Sequence, residues 1–169
     1  MIRRITKQGE VVLKKKSLPV DFASMETELP QLLDDLFETM YAANGVGLAA
    51  PQVGLSLRLA VIYVKVKEKG DPLVLINPEI ISRQGEVVEE EGCLSVPGLY
   101  VNVNRNTKVS LRAFGADGKL WERAATGLLA RAFEHEVDHL DGRLFLNRLN
   151  LAKRLELAPK LKELKKDWD

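Results

Sequence analysis

The chain predicts an α+β fold: mixed or antiparallel sheets around one central helix, closed by an amphipathic C-terminal helix. Three observations predict it. Apolar residues recur every three or four positions near the start, over residues 127–140 and at the end. The stretch between is rich in Val, Ile and Leu and is broken by turn residues, which reads as strands. Strands therefore dominate the middle and helices bracket them. The 169 residues read as one domain, 1–169, with no repeat and no low-complexity linker.

Residues 1–23 read as an irregular arm rich in Lys and Arg. From Thr27 to Ala43 the apolar positions Leu29, Leu32, Leu33, Leu36, Phe37, Met40 and Tyr41 give a helix with one buried face, stopped by Asn44-Gly45. Residues 45–54 form a small-residue loop or irregular strand. Leu57 to Val66 and Leu73 to Ile80 read as strands, and Glu86 to Glu90 and Tyr100 to Asn104 as shorter ones. Thr107 to Phe114 and Leu120 to Ala125 flank Gly115-Ala116-Asp117-Gly118, a hairpin turn. A helix over Gly127 to Leu140 has Leu128, Leu129, Ala132, Phe133 and Val137 available for burial and ends at Asp141-Gly142. The last helix, Leu151 to Lys166, aligns Leu151, Leu155, Ala158, Leu161, Leu164 and Trp168, with Pro159 set to break or kink it.

Composition narrows the function classes. Apolar residues make up 46% and charged residues 29%, ordinary values for a soluble globular protein. A net charge of +1 provides no field to recruit nucleic acid or a membrane surface. The longest purely apolar run nearby, Leu59 to Val64, is far too short to span a bilayer. The basic start has no apolar segment behind it and is not a secretory signal. The lone Cys93 forms no intramolecular disulfide, which suits a reducing compartment such as the cytoplasm. A processed organellar chain would look the same.

The chemistry is concentrated in the only two histidines. They lie four apart in His135-Glu136-Val137-Asp138-His139, on one face of the predicted central helix. Two imidazoles so placed can grip one metal ion, and a Glu beside the first can act on water at that metal. The central helix is thus read as a metal-binding helix. A catalytic site needs a third protein ligand. Two sources compete: Cys93, in Glu91-Gly92-Cys93-Leu94-Ser95, and a downstream acid, Glu156 or Glu163, as in a zincin-like metalloprotease. Gly92 lets the backbone approach a metal closely, and a thiolate is the softer donor. The two acids sit among lysines, where solvated pairing is natural. The acidic run Glu86, Glu89, Glu90 and Glu91 reads as a solvated strand face, with Glu91 alternatively orienting the site from behind a ligand. Asp138 has the same two readings.

Three segments resemble the signature motifs of the peptide deformylase family: Gly45-Val46-Gly47-Leu48-Ala49-Ala50-Pro51-Gln52, Glu91-Gly92-Cys93-Leu94-Ser95 and His135-Glu136-Val137-Asp138-His139-Leu140. Order and separation also match, and Val96-Pro97-Gly98-Leu99-Tyr100 is similar to the type 1 branch that includes plastid enzymes. The resemblance implies removal of the N-formyl group from the initiator methionine of nascent polypeptides. It implies one divalent metal per chain, ferrous iron in the cell with zinc, nickel or cobalt as substitutes. Cys93, His135 and His139 would be its ligands and Glu136 the acid/base. Gln52 and the Leu94 N–H would hold the oxyanion, and Val46, Gly47, Gly92, Leu128 and Ala132 would surround the substrate. A monomer is expected, with no membrane and no sequence-specific nucleic acid among its partners. A ribosome contact through the C-terminal helix is the sharper alternative to a solvated face at Lys160, Lys162, Lys165 and Lys166. The chain departs from the family pattern at Gly9-Glu10-Val11-Val12-Leu13, Tyr100, Glu134 and Asn147. These departures bear on rate and substrate preference rather than on the proposed ligands or base. A degenerate, non-catalytic binding module would need a damaged ligand or base, and all four residues are intact.

Overall fold

The longest apolar run builds a strand buried on both faces. In the computed structural model, which describes residues 1–168, this is β2 (Leu59–Val66). Side chains alternate across a strand. Leu59 and Val61 accordingly pack with α2 (Leu29–Ala42), and Ala60, Ile62 and Val64 pack with α3 (Gly127–Leu140). A short helix, α1 (Phe22–Met25), precedes α2. The sheet lies between α2 and α3 and runs β1 (Gly47–Ala49), β2, β3 (Lys69–Gln84), β6 (Lys108–Phe114), β7 (Leu120–Thr126). β4 (Val87–Glu91) and β5 (Val101–Arg105) form a second sheet of two strands. Every strand pair within these sheets is antiparallel, and a single parallel bridge joins Leu18 to Leu57. The α+β class and the hairpin at 115–118 stand as predicted.

Several elements differ from the sequence reading. β3 is twice the expected length because β2 pairs with its first half and β6 with its second. Two register shifts bend it, and Asn77, at φ +51°, sits at the first. The side chain of Asn77 bonds both backbone groups of Val20 and so ties the N-terminal arm to the bend.

That arm is not loose. It contains a 3₁₀ turn at Val11–Lys14 and buries Thr6, Leu13, Ser17 and Val20. Its backbone bonds reach the structural supports of the site: Thr6 N–H donates to Gln52 O, Gln8 N–H to Ser95 O, and Ser17 N–H to Leu140 O. Backbone donors leave no pattern in a sequence, which is why the arm read as irregular.

The C-terminal helix α4 (Leu151–Leu164) passes through Pro159 without breaking. Its start is capped by the Asn150 side chain. The expected stripe is buried only in its second half. Leu161, Leu164 and Trp168, joined by Leu157, pack against Val96, Leu99 and Phe145, whereas Ala158 is exposed and Leu151 and Leu155 are 64% and 63% exposed. The first-half positions lie roughly a third of a turn from the buried set on the helix. Burying the later set, which the Trp168 indole fastens to Pro97 O at 3.2 Å, turns the earlier one outward.

α3 is buried almost throughout, from Leu129 to Leu140. It ends against the arm: Gly142 has φ +74°, and a Cβ there would lie 2.7 Å from Lys14 O. Backbone cannot swing aside as a side chain can. Gly127, at φ +59°, has open space instead. Gly142→Ala should therefore destabilise the fold by more than Gly127→Ala, which carries only the positive-φ cost of about 1 kcal/mol. Urea denaturation of the two variants checks this; equal midpoints would show that the arm does not abut the helix end.

Candidate metal centre

The spacing of the histidines and the helical pitch bring both rings to one face of α3, where the loop after β4 delivers Cys93. His135 Nε2 and His139 Nε2 are 3.1 Å apart, and Cys93 Sγ is 3.3 Å from His139 Nε2. The three ligand atoms lie within 4.8 Å of one another, the group among the described residues suited to holding a metal ion. The donor set fits such an ion. One sulfur and two imidazole nitrogens converge, an arrangement that a cation would hold together, and the mixture suits a borderline-soft divalent metal. Glu156 and Glu163 do not join it. They are exposed and pair with Lys153 at 3.1 Å and Lys166 at 2.8 Å, which removes the support for the zincin-like alternative.

Each ring is held differently. His135 Nδ1 meets Glu91 Oε1 at 2.6 Å, and its ring stacks on Phe145 at 6.3 Å between centroids. Of the two readings of Glu91, the structure thus has the one behind the histidine. His139 Nδ1 is buried without a hydrogen-bond partner among the described residues. Burial works against the charged form of both histidines. In His139 burial and the neighbouring ring hold the pKa well below its ordinary value; in His135 the contacts with Cys93 and Glu91 outweigh burial and raise it.

Glu91 and Asp138 share a fully buried guanidinium. Arg105 Nη2 and Nε donate to the two Glu91 oxygens at 2.6 and 3.1 Å, and Nη1 to Asp138 Oδ2 at 2.7 Å. Arg148 closes the far side of Asp138. Burial opposes the ionised form of Glu91, but the His135 and Arg105 bonds prevail and hold its carboxyl at about 2. The sequence reading missed Arg105. Its signal was an Arg at the third inward position of the alternating strand Val101-Asn102-Val103-Asn104-Arg105, where a buried cation demands acidic partners.

Glu136 is 3% exposed, and its Oε2 has no partner among the described residues. Burial pushes its carboxyl up to about 7. Gly47 lies against it, so a Cβ on residue 47 would overlap the carboxylate. Gln52 is fixed at both ends. Its Oε1 accepts from Ala49 N–H at 2.9 Å, and its Nε2 donates to Ser95 Oγ at 3.1 Å and faces Cys93 Sγ at 3.7 Å. Leu94 packs into the core under α2 and borders the same space. That space is a cavity of about 540 Å³, within the range of small-ligand sites. Val46, Gly92, Leu128 and Ala132 line it, so the expected substrate-side residues share one wall system. Tyr100 stands at the rim, 63% exposed, with its ring over Gly92. The other departures lie outside the ligand set: Glu134 accepts from Asn106 N–H at 3.0 Å, Asn147 caps its own turn at Leu144 N–H, and Glu10 pairs with Arg4.

The contact between Gly47 and Glu136 yields a prediction. Gly47→Ala should displace the carboxylate and lower kcat on the substrate by about 10²-fold, the cost of an ångström-scale misplacement, with metal content unchanged. Steady-state kinetics with metal analysis measures both; unchanged kcat would mean that the carboxylate position is immaterial.

The same residues place the chain among known proteins. The family model described as polypeptide deformylase matches residues 2–155. A peptide deformylase of Acidobacterium capsulatum is 47% identical, with 99% of each chain covered. A crystal structure of a peptide deformylase from Legionella pneumophila is 45% identical and superposes with a TM-score of 0.89 over 98% of this chain and 96% of the other. The Arabidopsis thaliana peptide deformylase 1B, solved with an inhibitor, is 34% identical with a TM-score of 0.88 over 96% and 90%. Matched along nearly its whole length in sequence and in fold, and carrying the cysteine and both histidines in one cluster, the chain belongs to the polypeptide deformylase family.

Proposed function

We propose that this chain hydrolyses the N-formyl group of formyl-methionine at the start of nascent polypeptides, releasing formate. The observation that carries the reading is the convergence of Cys93, His135 and His139 beside the buried, unpartnered Glu136 at the wall of the cavity. A divalent metal held by Cys93, His135 and His139 supplies Lewis acidity to water and to the formyl carbonyl. Glu136 Oε2 takes the proton as the water oxygen bonds to the formyl carbon. The C–N bond then breaks, and Glu136 delivers the proton to the departing amine nitrogen. Gln52 Nε2 and the Leu94 N–H donate to the oxyanion, each worth roughly 3–4 kcal/mol in comparable sites. Glu91 keeps the His135 ring in place from behind. Val46, Gly47, Gly92, Leu128 and Ala132 enclose the substrate, whose backbone lies along the free edge of β1.

The metal we assign in the cell, on the family resemblance, is ferrous iron, with zinc, nickel or cobalt as substitutes; one thiolate with two imidazoles suits a divalent ion of this range. We place the enzyme in the cytoplasm as a monomer. The lone cysteine and bacterial relatives support that setting, and no helix of the described residues is long and apolar enough to cross a membrane. The exposed Leu151 and Leu155, with lysines along α4, support a contact with the ribosome near the emerging chain.

Two measurements test the reading. With one metal loading throughout, kcat/KM for an N-formyl-Met tripeptide should exceed that for its N-acetyl counterpart by at least about 10²-fold, because the acetyl methyl drives the carbonyl off the donors. Comparable values would point to a broader amidase. Glu136→Gln should retain metal and lose about 10²–10⁴-fold in kcat, whereas Cys93→Ala should lose the metal. Full metal occupancy in Cys93→Ala would remove the thiolate from the ligand set.

A further inference from the structure

Arg148, Asp138, Arg105 and Glu91 stand in line behind His135. Arg148 Nε donates to Asp138 Oδ2 at 3.0 Å, and its Nη2 donates to Asp138 Oδ1. Arg105 Nη1 donates to the same Oδ2 at 2.7 Å, and its Nη2 to Glu91 Oε1 at 2.6 Å. That Glu91 oxygen is the one that meets His135 Nδ1. Asp138 and Arg105 are buried, whereas the Arg148 side chain is 33% exposed. The line therefore runs from a residue in contact with water, on the 3₁₀ turn Phe145–Arg148, to one of the three convergent metal-binding side chains.

A guanidinium is a flat, rigid fork. Arg105 serves both carboxylates with one such plane, so it cannot move toward Asp138 without drawing Nη2 away from Glu91. Arg131 Nη2 also holds Glu91, but at Oε2, and leaves Oε1 to Arg105. Asp138 Oδ1 receives no donor other than Arg148 among the described residues. Without Arg148 that buried oxygen would be unpaired, a cost that favours turning Arg105 toward it.

We propose that Arg148 is a positioning residue for the metal centre: by saturating Asp138 it keeps Arg105 on Glu91, and Glu91 on the His135 ring. The inference rests on the metal-centre reading and deepens it. It gives a side chain outside the cavity a hold on how firmly the metal is kept.

The experiment follows release of zinc from the loaded protein into excess chelator. With cobalt in its place, the visible absorption of the centre reports ligand geometry. Wild type, Arg148→Met, Arg148→Lys, Arg58→Met and Asn147→Ala are compared, each with its urea midpoint. Arg58 pairs with Asp141 at the end of α3 at 2.8 Å, and Asn147 caps the turn that carries Arg148; neither bonds Asp138. Arg148→Met should release zinc about tenfold faster than wild type, the lower end for partners behind a ligand, and its cobalt spectrum should shift. Arg148→Lys keeps the charge without the fork and should fall between the two. Arg58→Met and Asn147→Ala should release zinc at the wild-type rate with the wild-type spectrum, even where the urea midpoint falls. Unchanged release and spectrum in Arg148→Met would overturn the proposal. So would release from Arg58→Met or Asn147→Ala as fast as from Arg148→Met, which would assign the effect to lost stability. If Arg148→Met does not fold, Arg148→Lys decides, by releasing zinc faster than both controls or not. A wild type that retains neither zinc nor cobalt would instead strike the metal-centre reading itself.

Discussion

The structure is organised around the cost of placing ionisable groups inside a buried helix. Within five residues of α3 stand His135, Glu136, Asp138 and His139, of which the last three are almost inaccessible to water. A helix with that content cannot be buried by apolar contacts alone. Its sheet-facing side does follow the ordinary rule, with Ala130, Phe133, Val137 and Leu140 against β2, β3 and β6. The other side needs countercharge. Arg105 supplies it from β5, and the two-stranded sheet is the element that holds Arg105 and Glu91 opposite the helix. The small sheet is therefore the electrostatic half of a socket, and the large sheet is its apolar half.

This division explains what could be read in advance. Periodicity revealed the helices, most strands and the hairpin, since each depends on local pattern. The three motifs brought forward Cys93, His135, His139, Glu136 and Gln52, because residue type and spacing together carry chemical meaning. Arg105, Arg131 and Ser95 escaped notice. Each acts through a partner 14 to 43 positions away in sequence, and such pairings follow from strand register and helix docking rather than from any local pattern. The stripe on α4 was read only in part for a related reason. Leu161, Leu164 and Trp168 pack inward as their spacing implies, but only the position of Val96, Leu99 and Phe145 decides that Leu157 joins them and that Leu151 and Leu155 do not.

Gln52 shows how strictly the site is prearranged. Its carbonyl oxygen is occupied by Ala49 N–H and its amide by Ser95 Oγ, so the side chain cannot rotate into an alternative use without losing two bonds. Restraint of this kind lets a polar donor act without reorganising when charge develops near it. The backbone of the same residue receives Thr6 N–H, and Ser95 O receives Gln8 N–H. The orientation of Gln52 thus depends on a segment that supplies no metal ligand, although its Ile5 and Lys7 border the cavity.

That dependence has a consequence in time. Ser17 leaves the ribosome long before Leu140, the residue it must bind, has been made. At roughly 5–20 residues per second the arm waits on the order of ten seconds with its partner absent. For that interval the C-terminal end of the arm can dock only through Val20, whose buried cluster is complete by Ile76. The arm's last bond therefore forms only after the metal helix has been made. A chain released early, before α3, would keep the arm's bonds to Gln52 and Asn77 but lack the one that closes it onto Leu140.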